Sequence, residues 1–160
     1  MHETVAQIEG IRAALVGEFY WRFSVDTGFA FHFENFVLSA YELFSPDEAG
    51  INSALVESYP PATFTANPAV ISKSAVAAAC LGATISAVEI LPDSSLVLRF
   101  NNNMVIQLPT NTPVVDWHWA ITEQGGDPYL GCLVACFAPG DIQGCMPNNS
   151  FKPRPLRGSA

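Results

Sequence analysis

Asp116 and His118 stand two apart, on either side of Trp117. In an extended strand that spacing puts both side chains on one face, where a carboxylate can orient an imidazole for proton transfer. The local sequence adds no Ser or Cys nucleophile, so a surface pair beside a buried Trp ladder is the simpler reading. Cys132 and Cys136, with Cys145 beyond, offer three thiols to a zinc ion, and Cys80 or His118 would be the fourth ligand. Their spacing is looser than the knuckles of structural zinc sites. On a strand Cys132 and Cys136 share a face with Val134, which favours packing. Trp117 and Trp119 could stack on a sugar ring, but Val115 and Ile121 flank them on the same face and argue for core. His32 lies opposite a stripe of phenylalanines, facing solvent or a second sheet. There is no Gly-x-Ser-x-Gly elbow, no phosphate-binding glycine loop and no His-Glu-x-x-His. The expectation is no catalytic residue, no metal and no cofactor.

The elements that would carry these residues occur twice. The stretch from Val25 through Phe29, Phe31 and Phe33 to Asn35, followed by Phe36-Val37-Leu38, has a counterpart. It runs from Pro92 through Leu96, Leu98 and Phe100 to Asn101-Asn102-Asn103, followed by Met104-Val105-Ile106. Each copy is a turn, a strand ending in Phe, a polar break and a returning strand. Each is preceded by a closely spaced Leu and Gly: Leu15 and Gly17, then Leu81 and Gly82. A repeat constrains architecture before any local motif does.

Apolar spacing from Val5 to Leu15 predicts a first helix stopped at Gly17. Ser45-Pro46-Asp47-Glu48 predicts a second, with Ser as cap and Pro at its first position. The Ala-rich segment Ser72–Leu81 predicts a third, closed by Gly82. Strands are expected over 18–25, 29–33, 36–44, 84–91, 96–100, 104–108, 115–121, 129–137 and 141–145. The fold class is thus α+β, mostly antiparallel β: two β-units related by internal duplication and packed together, with two or three short helices. Residues 1–150 form a single domain of two halves, about 15–58 and 81–145, joined at the Pro60–Pro68 seam. Residues 151–160 are a tail.

Of 160 residues, 49% are hydrophobic and 14% charged, which excludes a disordered chain. No apolar run reaches the ~20 residues of a membrane helix, and the first residues do not read as a secretory signal. Four reduced cysteines and a cytoplasmic location follow as the default. The formal charge is -8, and three of the seven basic residues (Lys152, Arg154, Arg157) lie in the tail, leaving four against 15 acidic ones. No Lys or Arg occurs between Arg22 and Lys73 or between Arg99 and Lys152. Such a surface repels phosphate backbones and would attract a basic partner. No nucleic acid and no membrane are expected as partners.

The second half, Leu81-Gly82 … Pro92-Asp93-Ser94-Ser95-Leu96-Val97-Leu98-Arg99-Phe100-Asn101 … Met104-Val105-Ile106 … Trp117 … Ala135-Cys136-Phe137-Ala138-Pro139-Gly140, resembles a family of small bacterial proteins. Its members carry a doubled Leu-x-Gly, hairpin and Trp-strand pattern and are proposed as immunity proteins of polymorphic toxin systems. The segment Leu15–Phe44 looks like a degenerate first copy. Where the pattern has an Asp-Gly turn this chain has Asp-Ser-Ser, and Asn follows Phe100. The resemblance implies a protein that binds and blocks one cognate, basic toxin domain. An acidic surface suits that role, and the expected contacts are Glu34, Glu42, Asp47, Glu48, Glu57, Asp116 and Glu123. Two alternatives stand beside it: a secreted or cytosolic ligand-binding β-domain, and a small enzyme using Asp116 and His118.

Overall fold

The computed structural model describes residues 2–60, 65–127 and 131–144, with side chains from residue 5 onward. Helix α1 (His2–Leu15) buries Ile11, Ala14 and Leu15 and stops at Gly17, whose φ of +89° suits a residue without Cβ. Strands β1 (Tyr20–Val25), β2 (Phe29–Phe33) and β3 (Phe36–Ala40) follow as an antiparallel meander. Phe29, Phe31 and Phe33 point into the core, as their alternation with Ala30 and His32 requires. Helix α2 (Glu48–Ser58) begins after Asp47, not Ser45, and α3 (Pro68–Ala79) begins four residues before the expected start. At α3 the Asn67 side chain accepts a hydrogen bond from the Ala69 amide and Pro68 takes the first turn. That Asn-Pro pair is a helix start that the Ala-rich pattern obscured. Gly82, with φ +85°, follows α3 as Gly17 follows α1.

Strands β4 (Ile85–Ile90), β5 (Leu96–Phe100) and β6 (Val105–Leu108) form a three-stranded antiparallel sheet. Strands β7 (Trp119–Glu123), β8 (Val134–Ala138) and β9 (Asp141–Gly144) do not join it. They extend the first meander, giving a six-stranded sheet in the order β1-β2-β3-β7-β8-β9. The expected boundary at 81–145 therefore changes: the matched parts are α1-β1-β2-β3 and α3-β4-β5-β6, and β7–β9 add to the first. The reason is edge pairing. β3 runs antiparallel to β7 from Phe36↔Glu123 to Ala40↔Trp119, whereas β6 is met on its outer side by Phe44.

Several backbone features recur in the two parts. Each first strand carries a register shift at the same place, Tyr20/Arg22 and Ile85/Ala87. The Gly17 amide donates to the Ile85 carbonyl and the Gly82 amide to the Tyr20 carbonyl, both at 2.8 Å. The Tyr20 amide donates to the Ala83 carbonyl and the Ile85 amide to the Glu18 carbonyl. These reciprocal bonds close the seam between the sheets at the Phe19–Thr84 bridge. One contiguous core fills the space between them. It includes Tyr20, Phe31, Phe33 and Leu38 from the larger sheet, Leu96, Leu98, Phe100 and Ile106 from the smaller, and Leu15 and Val76 from the helices.

The Asp-Ser-Ser turn is a junction. Ser94 adopts φ +69°, which costs a non-glycine residue about 1 kcal/mol. Its carbonyl accepts from Trp119 Nε1 at 3.0 Å and its Oγ from the Gly140 amide at 2.7 Å. A glycine there would ease the backbone but lose the second bond.

Candidate functional site

Segment 109–118 is not a strand, so the expected 115–121 face does not exist as such. Pro109 and Pro113 interrupt any ladder there, and β7 begins only at Trp119. The two tryptophans consequently separate. Trp119 lies fully buried in the main core, while Trp117 packs on the opposite face of the larger sheet against Ala120, Cys132 and Ala135. Val115 is 99% exposed. Asp116 is exposed and His118 is buried, and among the described residues no hydrogen bond or ion pair joins them. Burial holds the His118 imidazole below its ordinary pKa.

The cysteines also divide, correcting the expectation of four reduced thiols. Cys132 is disulfide-bonded. Cys80 and Cys136 are free and fully buried. Burial, with Asp47 adding to it, pushes the Cys80 thiol up to about 12, and burial raises Cys136 to about 11. Among the described residues no group of three or more His, Cys, Asp or Glu is arranged to hold a metal.

The expected acidic contacts fall in three places. Glu42 and Glu48 turn inward on one cation: Lys73 Nζ lies 3.2 Å from Glu42 Oε1 and 3.1 Å from Glu48 Oε1, and donates to the Leu43 carbonyl. Asp47 and Glu57, on and beside α2, are exposed. Glu34 and Glu123, at one end of the β2-β3-β7 strip, and Asp116 on the 109–118 segment are exposed as well. Lys73, Arg12 with Glu9, and Arg99 with Glu89 are all ion-paired, so internal carboxylates engage three of the four basic side chains ahead of the tail.

Between the outer face of the larger sheet and the segments 114–117 and 125–127 runs a cleft of about 680 Å³. That is within the range of small-molecule sites. Its floor is the side of β2 and β3 turned away from the core, with Ala30, His32, Val37 and Ser39. Strand alternation puts them there, because Phe31 and Leu38 between them point inward. The rim carries Asp26, Asp116 and Asp127, and Tyr41 and Trp117 also line the cleft. Among the described residues no Lys or Arg lines it.

The Asp26-Thr27-Gly28 turn is tightly built. Asp26 Oδ1 accepts from the Gly28 amide at 3.1 Å. A Cβ on Gly28 would come within 2.4 Å of the Ala40 carbonyl oxygen. Ser39 is 7% exposed. The His32 ring meets Trp21 edge-on at 5.9 Å. Its pKa is lowered by burial and by Arg22, with a Gln124 hydrogen bond opposing.

Of this site the sequence marked Asp116 and, as a candidate sugar-stacking residue, Trp117. Asp26 counted toward charge, His32 toward a solvent or inter-sheet face, and Ser39 and Tyr41 merely toward a strand. Alternation gives the orientation of His32 and Ser39, but the loops that roof them carry no periodic signal. No protein-family model, no curated protein and no solved structure matches the chain.

Proposed function

We propose that the chain is an immunity-type binding protein that blocks a cognate bacterial toxin domain through its acidic surface. The observation that carries this reading is the imbalance left after internal pairing. Asp26, Glu34, Asp47, Glu57 and Asp116 remain exposed, while Arg12, Lys73 and Arg99 are engaged internally. A basic toxin surface would be drawn to such a face and occluded by it. No helix among the described residues is long and apolar enough to cross a membrane. The expectation of four reduced thiols went with that of a cytoplasmic location; the Cys132 disulfide favours action in an oxidising compartment instead.

The test is co-expression with any toxin domain that a neighbouring reading frame encodes. The expected result is a 1:1 complex whose association slows with added salt, and slows about tenfold in the Asp26→Lys, Asp116→Lys double variant. Absence of a complex, or an association rate indifferent to salt, would overturn the reading.

The cleft and the disulfide together favour a second reading, a ligand-binding β-domain. Its test is saturable binding of a small ligand by the isolated chain.

A further inference from the structure

The chain continues from Gly144, the end of β9, to residue 160, and that stretch holds Lys152, Arg154 and Arg157. We propose that segment 151–157 of the same chain docks in the cleft on the outer face of the larger sheet. The proposal goes beyond toxin blockade and is tested without any toxin.

Sheet register places the cleft level with the point where the chain leaves β9. Gly144 pairs with Val134, Val134 with Ile121, Ile121 with Leu38, and Leu38 with Phe31. One row of residues thus runs from Gly144 to the two strands that floor the cleft. Ala30 and His32 flank Phe31, and Val37 and Ser39 flank Leu38. In the strand order β9 lies three spacings from β3 and four from β2, which is roughly 14–19 Å. Extended chain covers about 3.3 Å per residue, so about six residues suffice and 151–157 come within reach. The core fills the inner face of the sheet, so the outer face is the one open to a crossing chain.

Segment and cleft also match in chemistry. Val115, 99% exposed, and Tyr41, 47% exposed, leave apolar surface bare in the cleft lining, and Trp117 lines it with them. Phe151, Pro153, Pro155 and Leu156 are the side chains to cover it. Pro153 and Pro155 favour extended backbone at Lys152 and Arg154, the form that aromatic-lined grooves receive. The charges are complementary as well: Asp26 and Asp116 are exposed in the lining, and the segment brings three cations. A separate basic peptide would meet the same surface. Connection through β9 favours the chain's own segment, because a short tether holds it at an effective concentration near ~1 mM. Docked there, it screens Asp26 and Asp116, and a partner drawn to that face has to displace it.

The experiment compares amide chemical shifts of the isotope-labelled full chain and its Lys152→Glu, Arg154→Glu double variant. Both substitutions lie outside the described elements, so the fold serves as its own reference. The variant is expected to shift Gly28, Val115, Trp117 and Gly126, all remote from it in sequence, and high salt should move the unaltered chain the same way. Asp116→Lys, at an exposed position, should reproduce these shifts. Nuclear Overhauser contacts are expected between side chains of 151–157 and Val115 or Tyr41, and should vanish in the variant. A synthetic peptide of residues 149–157 should saturate the variant's cleft with Kd of roughly 0.1 mM, and bind the unaltered chain about tenfold more weakly because its cleft is filled.

The proposal is overturned if the variant shifts only amides beyond Gly144, if the contacts are missing, or if the peptide binds both chains equally. Shifts that change with protein concentration would overturn it too, by assigning the segment to the cleft of a second copy. Toxin blockade fails on a missing complex and this proposal on a missing contact within one chain, so the two failures are told apart.

Discussion

Tyr20 concentrates the residue-scale tensions of this protein. Its ring is fully buried, with the rings of Phe33, Phe100 and Phe31 at 5.4, 5.8 and 6.0 Å. Its hydroxyl has no hydrogen-bond partner, and burial drives its pKa far above the ordinary value. The ring contributes packing and the hydroxyl subtracts from it. Tyr20→Phe should therefore leave stability unchanged or raise it by up to about 1 kcal/mol. Urea unfolding checks this, and a loss above that size would mean the hydroxyl is satisfied.

His118 and His32 work through pH. The folded-state pKa of each lies below the unfolded value of about 6.5, so the unfolded chain binds more protons as pH falls below it. The contribution is present in full above about pH 6.5 and is lost on acidification toward the depressed folded pKa. Unfolding free energy should fall from pH 7.5 to 5.5, and His118→Gln should flatten that slope whatever it does to the absolute value. An unchanged slope would refute the assignment. The inward direction of Phe29, Phe31 and Phe33 was legible by alternation alone. The separation of Trp117 from Trp119 was not, since two residues at strand spacing share a face only if both lie in the strand.

At the scale of elements, the matched α1-β1-β2-β3 and α3-β4-β5-β6 parts follow from what the sequence repeats: left-handed glycines, Phe-terminated strands and Asn-containing turns. Common origin by duplication remains a proposal, resting on the shared bulge and the reciprocal seam bonds. The assignment of β7–β9 to the first sheet was illegible, because strand pairing depends on which edge is open. One side chain of helix α3 ties it to the chain just after β3. Lys73, with its side chain 18% exposed, joins Glu42, Glu48 and the Leu43 carbonyl across the gap between α3 and 42–48. Lys73→Met keeps the stem but strands two carboxylates, one of them only 18% exposed. The expected loss is on the order of 2 kcal/mol, discounted from fully buried pairs because solvent reaches this one. Glu48→Gln in the same chain should recover part of the loss, and a double-mutant cycle measures how much. Additive losses would show that Lys73 acts by packing.

Taken as a whole, the molecule joins an acidic exterior to a core that contains two thiols, and the state of its cysteines bears on where it works. The sequence pointed to four reduced cysteines only as the default of a cytosolic chain, since the even count of Cys80, Cys132, Cys136 and Cys145 permits two bridges as well. Folding distributes them unequally: Cys132 packs on the outer face and is bridged, while Cys80 and Cys136 lie wholly inside. With values near 12 and 11, these two thiols present thiolate fractions of about one in ten thousand and one in a thousand at pH 8. Protein made in an oxidising compartment should therefore show almost no thiol reacting with a disulfide reagent while folded. It should show two after denaturation without reductant and four after reduction. Four reactive thiols in the unreduced, denatured chain would remove the bridge and return the cytoplasm as the expected site of action. Two would set the same acidic face against partners met outside the cytosol, where no reducing pool competes for the bridge.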